Sequence, residues 1–156
     1  MSDPTARRRG RSASPSLVYV IGRGNQGVRR EMRARLARWE LSVPEYTALS
    51  ILRAGPGLSN AQLARRSMIT PPSMLEVLAS LERRGLVERR IDAKNNRILR
   101  AELTEDGIRT LSEADAVIEE MQEQMLAGVA PAEREVVREA LISVMDRLSH
   151  GLEARP

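Results

Sequence analysis

The stretch SNAQLARRSMITPPSMLEVLASLERRGLVERR, residues 59–90, decides the fold of this chain. Ser59-Asn60-Ala61-Gln62 has the pattern of a capping box, and Thr70-Pro71 is a second helix-start signal. We therefore expect one helix over 59–69, with an inner face of Leu63, Ala64 and Met68, and another over 70–84. Met74, Val77, Leu78 and Leu81 give the second helix a single buried stripe, and Gly85 ends it. Two helices joined by a short turn predict a helix-turn-helix.

A basic hairpin is predicted directly after this unit. Leu86–Arg90 and Ile98–Leu103 have the composition of short strands, and the turn-rich segment 92–97 (DAKNNR) separates them. A helix-turn-helix followed by such a hairpin is the plan of a winged helix-turn-helix. In that plan the second helix lies in the DNA major groove, and the hairpin, or wing, contacts the backbone or the minor groove.

Amphipathic helices are predicted on both sides of this unit. A helix over 16–39 carries Leu17, Ile21, Val28, Met32 and Leu36, and its three glycines (Gly22, Gly24 and Gly27) either kink it or permit close helix–helix approach. Ser42 opens the next helix, whose inward positions are Tyr46, Leu49 and Leu52. Two further helices begin at Thr104 and at Pro131, with inward positions Ile108, Leu111, Ile118, Met121 and Met125, and Val137, Leu141, Val144 and Leu148. The predicted fold class is mainly α with a small β-hairpin wing.

Composition excludes several kinds of chemistry. The 156 residues include no cysteine and one histidine, which excludes disulfides, thiolate metal sites and a thiol-based redox switch, and argues against multi-histidine sites. No nucleophile–base pair, phosphate loop or metal motif is visible, so we expect no catalytic residues, no metal and no cofactor. No apolar run approaches the length of a membrane helix, and no secretory signal is visible, which predicts a cytoplasmic protein.

The charge is distributed unevenly along the chain. Residues 59–100 carry nine basic side chains against four acidic ones, a net charge of +5, whereas residues 101–156 carry five against thirteen, a net charge of −8. This asymmetry predicts one surface that faces a polyanion and another that faces away from it. Residues 1–15 are rich in Arg, Ser, Pro and Gly, and are expected to be a disordered tail.

Residues 49–104 resemble the MarR-type (multiple antibiotic resistance regulator) transcriptional regulators. The resemblance is carried by LSVPEYTALSIL (41–52), GPGLSNAQLARR (55–66), LERRGLVERR (81–90) and the pair Leu103-Thr104 with Gly107 three residues on. The flanking helices fit the dimerisation region of that family. The family implies a triangular homodimer with two winged lobes that binds a pseudo-palindromic operator, and many members release DNA when an amphipathic ligand binds between lobe and dimerisation region.

The resemblance implies a single domain over 16–150. Residues 42–103 would form the DNA-binding lobe, and residues 16–40 and 104–150 the dimerisation helices. Three apolar stripes on the flanking helices exceed what a lobe of this size can cover, which also favours sharing them between two chains. We therefore expect a ligand-responsive repressor that partners double-stranded DNA and a second copy of itself.

Candidate DNA contacts lie on the second helix, on the helix before it and on the wing. They are Thr70, Pro72, Ser73, Leu75, Glu76, Ser80, Arg65, Arg66, Lys94, Asn96 and Arg97. Two departures from the family stand out. The acidic residue usual in the wing is replaced by Asn95, and the recognition helix has no basic residue before Arg83. Readout would then use thymine methyls, hydroxyls and Glu76, with affinity coming from the wing and from phosphate contacts.

An effector pocket is expected near the junction of the two regions. Tyr19, Trp39 and Tyr46 are the only aromatic residues, and Arg23 or Arg53 would pair with the acid group of a small aromatic acid. The alternative is that Trp39 and Tyr46 only anchor helix packing. The acidic run 113–123 reads as an exposed helix face. An alternative function is a winged-helix dimer that serves as a protein-interaction scaffold without sequence-specific DNA binding.

Overall fold

The computed structural model describes residues 14–149. It contains the helices α1 (Leu17–Leu36), α2 (Val43–Ala54), α3 (Asn60–Arg66), α4 (Pro71–Arg83), α5 (Glu105–Met125) and α6 (Pro131–Ser149), with a 3-10 helix over Ala37–Trp39. The strands are β1 (Leu58–Ser59), β2 (Val87–Ile91) and β3 (Leu99–Leu103). The expected tail lies outside the described residues except for residues 14 and 15. The fold is mainly helical with a small sheet, as predicted.

Side-chain caps start the helices of the central unit. Ser42 with Glu45, and Ser59 with Gln62, form complete capping boxes at α2 and α3. Thr70 accepts the Ser73 N–H at the start of α4. Each cap satisfies backbone donors that the first helical turn leaves without a partner. The helix starts predicted from these residues are therefore confirmed.

The sheet is antiparallel with strand order β1-β3-β2, so β3 is central. Ala101 of β3 lies opposite both Leu58 and Arg89, and Leu103 opposite Val87. The hydrophobic core lies between this sheet and α2, α3, α4 and α5. Its fully buried side chains include Leu49, Leu52, Leu63, Met74, Leu78, Leu81, Val87 and Leu111.

Thr104 and Gly107 join the sheet to α5. The Thr104 hydroxyl donates to the Gly85 carbonyl (2.6 Å) and accepts the Gly107 N–H (3.0 Å). A Cβ on Gly107 would lie 2.0 Å from the Leu86 carbonyl oxygen, so only glycine permits this approach. Gly85, with φ of 69°, ends α4 in the left-handed region as expected. The Leu103-Thr104…Gly107 pattern is thus the junction between wing and helix.

Several predicted inward positions are exposed in this chain. Met68 follows α3 in the left-handed region (φ 54°) and is 55% exposed, because the chain turns there before α4. On α5 the side chains of Ile108 and Met125 are exposed, whereas those of Leu111 and Met121 are buried. α6 buries none of its residues, and Leu17 at the start of α1 is also exposed. These helix faces point away from the core of their own chain.

α1 continues as one α-helix through Gly22, Gly24 and Gly27. A Cβ on any of the three would meet nothing within 4 Å in this chain. None of the described helices is both long and apolar enough to cross a bilayer.

Candidate DNA-binding surface and ligand site

The first half of α4 presents an exposed face. Pro72, Ser73, Leu75 and Glu76 are all exposed, with Leu75 at 49%, while Met74 and Leu78 between them are buried. Thr70 is exposed at the N-cap, and its hydroxyl oxygen lies 2.9 Å from that of Ser73. Small, apolar and acidic side chains therefore share the part of α4 that a major groove would receive.

Ser80 is not part of this exposed surface. It is half-buried, and its hydroxyl donates to Glu45 Oε1 over 2.7 Å. Ser80 lies seven residues, or about two helical turns, after Ser73, at the end of α4 that packs against α2. The sequence predicted an outward Ser80, but the structure places its hydroxyl in a contact between α4 and α2.

The wing tip is organised by its own side chains. Asp92 Oδ1 accepts the backbone N–H groups of Lys94 and Asn95, both at 2.9 Å, and Asn95 Oδ1 accepts that of Arg97 at 3.0 Å. Asp92 also pairs with Arg100, whose hydrogen bond is the main cause that lowers the pKa of this carboxyl. Asn95 thus shapes the turn, while Asp92 supplies an ion pair at the base of the wing.

The cations of residues 59–100 divide into two groups. Arg89 pairs with Glu82, Arg90 with Glu88 and Arg100 with Asp92, and Arg84 donates to backbone carbonyls. The second group has no hydrogen bond or ion pair from its side chains within residues 14–149. Its members are Arg65, Arg66, Arg83, Lys94 and Arg97. These five side chains can bind phosphate without breaking an internal pair.

The predicted DNA contacts fall into this pattern. Lys94, Asn96 and Arg97 are exposed together at the wing tip, and Arg65 and Arg66 are exposed at the end of α3. The Arg66 guanidinium lies beside Gly55, in the turn after α2. Its Nη1 would be 3.2 Å from a Cβ atom at Gly55. Leu75 of α4 and Arg97 of the wing line one cleft of about 310 Å³.

A polar network links the end of α4 to the chain that precedes α2. Arg84 donates to the carbonyls of Trp39 (2.6 Å) and Glu40 (3.1 Å), and Glu40 has a left-handed φ of 52°. Glu45 is only 7% exposed, and its carboxylate accepts the Ser42 N–H (2.7 Å) and the hydroxyls of Ser42 and Ser80. Burial opposes ionisation of Glu45, but these bonds and Arg84 outweigh it and lower its pKa.

The predicted ligand residues on α2 are engaged by α5. The Tyr46 hydroxyl donates to Asp115 Oδ1 (2.7 Å), and Arg53 forms an ion pair with the same carboxylate. Burial and the Asp115 hydrogen bond raise the pKa of Tyr46 to about 12, so this phenol stays protonated as a donor. Trp39 Nε1 donates to Glu113 Oε2 over 2.9 Å.

Tyr19 and Arg23 lie elsewhere in this chain. They contact each other, with Arg23 Nη1 3.2 Å from the Tyr19 hydroxyl oxygen. Tyr19 is 17 residues before the buried end of α1 at Leu36, a distance of about 25 Å along a helix. Within one chain, Tyr46 and Arg53 therefore lie together against α5, and Trp39 contacts the same helix. Tyr19 and Arg23 do not reach this group of residues.

The sequence analysis missed the acidic half of this site. Asp115, with its side chain 16% exposed, and Glu113 belong to the run interpreted as an exposed face. The signal available was that Leu111, Ala114 and Ile118 set the inner face of α5, and Asp115 borders it. Within residues 14–149, no three acidic or histidine side chains are grouped so as to hold a metal ion.

Residues 41–99 match the sequence model of the MarR family. The HTH-type transcriptional repressor Rv2887 of Mycobacterium tuberculosis is 37% identical over 123 residues, which cover 78% of this chain and 88% of that protein. A crystal structure of Rv2887 in complex with salicylic acid superposes with a TM-score of 0.68 at 32% identity, covering 85% of this chain and 98% of that one. The regulator BldR from Sulfolobus solfataricus superposes with a TM-score of 0.77 at 30% identity, over 84% and 93% of the two chains.

Proposed function

The chain belongs to the MarR family, and from this premise we propose that it is a ligand-responsive transcriptional repressor. It binds a pseudo-palindromic operator as a homodimer and releases it when a small aromatic acid binds. Its work is regulatory rather than catalytic, and it takes place in the cytoplasm, where its operator DNA is. The observation that carries this proposal is the group of five exposed cations on the helix-turn-helix and the wing whose side chains have no partner within residues 14–149.

Affinity for DNA comes from these cations. Lys94 and Arg97 at the wing tip and Arg65, Arg66 and Arg83 beside the helix-turn-helix are free to neutralise phosphates. Each contact releases condensed counterions, so binding weakens as salt rises. Arg97, the arginine at the wing tip, is the side chain that enters the minor groove.

Sequence preference comes from the exposed face of α4. Leu75 offers a methyl-rich surface to thymine, Ser73 a hydroxyl, and Glu76 an acceptor for a cytosine amino group. The face has no arginine for a bidentate contact with guanine. The site it reads is accordingly defined by apolar contacts and by DNA shape as much as by hydrogen bonds.

The dimer is built from the uncovered faces of the flanking helices. α6 exposes Val137, Leu141, Met145 and Leu148, and α1 exposes Leu17 to Val20. Between α1 and α5 lies a groove of about 460 Å³ lined by Gly24, Gly27, Val28, Met121 and Met125, among others. Apolar helix faces of this extent are typical of an interface that a second chain covers.

The effector site is built on Tyr46 and Arg53 of α2, with Trp39 beside it. The salicylic acid complex of Rv2887 supports a ligand of this class, because that relative is similar over most of both chains. A phenol donor and a guanidinium on one helix face suit the carboxylate of an aromatic acid. Tyr19 and Arg23 join the site only if α1 of a second chain brings them there.

The test is binding to DNA from upstream of the gene, measured by fluorescence anisotropy at several salt concentrations. Ten such cations per dimer set an upper limit of about nine on the slope of log affinity against log salt. We expect a steep slope and much weaker binding to a scrambled duplex of equal length. Equal affinity for both duplexes would favour the scaffold function, because the wing would then bind backbone without readout.

A further inference from the structure

Asp115 is the one acidic side chain that contacts both ligand-binding candidates of α2 within the described chain. Each of its two carboxylate oxygens makes one contact. Oδ1 accepts a hydrogen bond from the Tyr46 hydroxyl at 2.7 Å, and Oδ2 pairs with Arg53. The contacts join positions 69 and 62 residues apart in sequence. They therefore hold α2 directly against α5.

The two donors lie two helical turns apart. Tyr46 and Arg53 are seven residues apart and share one face of α2, so a single carboxylate can bridge them. A phenol hydroxyl and a guanidinium are also the donors that a free carboxylate ligand would use. In this structure an internal carboxylate already occupies them.

Exposure leaves a route for exchange. The Arg53 side chain is 48% exposed, whereas that of Asp115 is 16% exposed. A ligand can therefore approach the guanidinium from the solvent side while Asp115 still holds its inner side. A neutral ligand that displaced Asp115 would leave Arg53 without an anion. An anionic ligand replaces the lost charge, so its binding free energy is more favourable than that of a neutral ligand.

We propose that Asp115 is an internal competitor for the ligand's carboxylate, which it mimics on Tyr46 and Arg53. The inference rests on the proposed function and deepens it. In the free protein Asp115 latches α2 to α5, and an aromatic acid binds by taking its place. Binding then opens the latch between the lobe that carries α4 and the helix that leads into the dimerisation region.

Energetics follow from this exchange. The observed ligand affinity is the intrinsic affinity reduced by the fraction of molecules in which the latch is open. The ligand can shift the lobe only by its differential affinity for the open and latched arrangements. Asp115 thus lowers affinity for the acid while making DNA binding responsive to it.

The experiment is calorimetric titration of the full-length protein with salicylate, without DNA. Asp115→Asn removes the charge while keeping the size of the side chain, and we expect it to bind salicylate about tenfold more tightly, as expected for removing a competitor that keeps the site about 90% occupied. Glu119→Gln is the matched control, since it neutralises an exposed acid on the same helix, four residues from Asp115, that has no part in the ligand site. It should leave the affinity within about twofold, because it creates no vacancy at Arg53.

Three further measurements distinguish the proposed exchange from a merely structural effect. Arg53→Gln should abolish salicylate binding in both the parent and the Asp115→Asn background, and the affinity for salicylamide, which carries no charge, should rise less with Asp115→Asn than the affinity for salicylate. In the unmodified protein, saturating salicylate should speed hydrogen exchange of the amides around Asp115. A ligand that only adds contacts would slow it, so this result does not depend on the variants folding.

Outcomes separate this inference from the proposed function. Equal salicylate affinity of the parent and Asp115→Asn, an equal gain for Glu119→Gln, or no salicylate binding by any variant overturns the latch. If the parent protein does not bind the operator in the absence of ligand, the repressor function is overturned and the latch is not. The order of salicylate affinities among the variants is decided without DNA.

Discussion

Arg97 is an arginine held in place by its backbone rather than by its side chain. Asn95 binds its N–H, and its guanidinium has no partner within residues 14–149. A free cation at the tip of an ordered hairpin costs no internal contact when it meets DNA.

Arg97→Ala should therefore weaken operator binding by about 1–3 kcal/mol while leaving the fold intact. Anisotropy with the operator duplex measures the loss, and the thermal transition checks the fold. Arg138→Ala is the control, because Arg138 pairs with Glu135 on α6, away from the lobe. Unchanged affinity for Arg97→Ala would remove the wing tip from the mechanism.

Glu45 shows a different use of charge at a single residue. Its pKa lies below the ordinary value in the folded protein, so its ionised form stabilises the fold. By linkage, this stabilisation is present above the unfolded-state pKa of about 4.3 and is lost as pH falls through the folded-state pKa.

Glu45→Gln should lower the free energy of unfolding by about 1–2 kcal/mol at pH 7. The difference from the parent should be smaller at pH 3, because this pH lies below the unfolded-state pKa and part of the stabilisation by the ionised carboxylate is lost there. Urea denaturation at both pH values and at fixed protein concentration measures it, with the exposed Glu119→Gln as control. A difference that is the same at both pH values would show that the charge of Glu45 is not its cause.

At the scale of elements, α4 combines two roles on two faces. Its inner face, through Met74, Leu78 and Leu81, is fully buried in the core, and its N-terminal outer face is free. Its far end is anchored by Ser80 to Glu45 and by Arg84 to the carbonyls of Trp39 and Glu40. The helix is therefore a rigid support for the side chains at its start.

Glu76→Gln should change the preferred operator sequence more than the affinity for non-specific DNA, because base contacts specify and phosphate contacts position. Selection from a randomised duplex pool, compared with binding to a scrambled duplex, distinguishes the two. Arg83→Gln, which removes a phosphate-binding candidate from the same helix, should instead weaken binding to all sequences. A uniform effect from Glu76→Gln would mean that α4 does not read bases at this position.

At the scale of the whole molecule, the uncovered face of α6 requires a partner. Leu141→Glu would place a charge in the proposed interface, and sedimentation at micromolar concentration should show it as a monomer, whereas the parent sediments at twice 17.4 kDa. Leu75→Glu is the matched control, since Leu75 is exposed to a similar degree (49% against 41%) but lies on α4. It should remain a dimer. A parent monomer at this concentration would contradict the proposed assembly.

The local elements followed from the sequence because their signals are local. Ser42, Ser59, Thr70 and Gly85 set helix ends through contacts within four residues, and the stripe of α4 repeats every three or four residues. The fold class was predicted from these elements in their order, and the family from the resemblance of longer motifs; both are confirmed. The exposed start of α4 and the basic wing tip were also predicted, since their neighbours in sequence are their neighbours in space.

Tertiary structure decided which side chains are engaged. Nothing near Ser80 in sequence shows that its hydroxyl belongs to Glu45, 35 residues away, nor that Asp115 meets both Tyr46 and Arg53. The exposed stripe of α6 has the period of a buried one, because periodicity reports that a face is apolar but not which chain covers it. Pairings between distant residues depend on how the elements pack together, and that information is absent from any single segment of the chain.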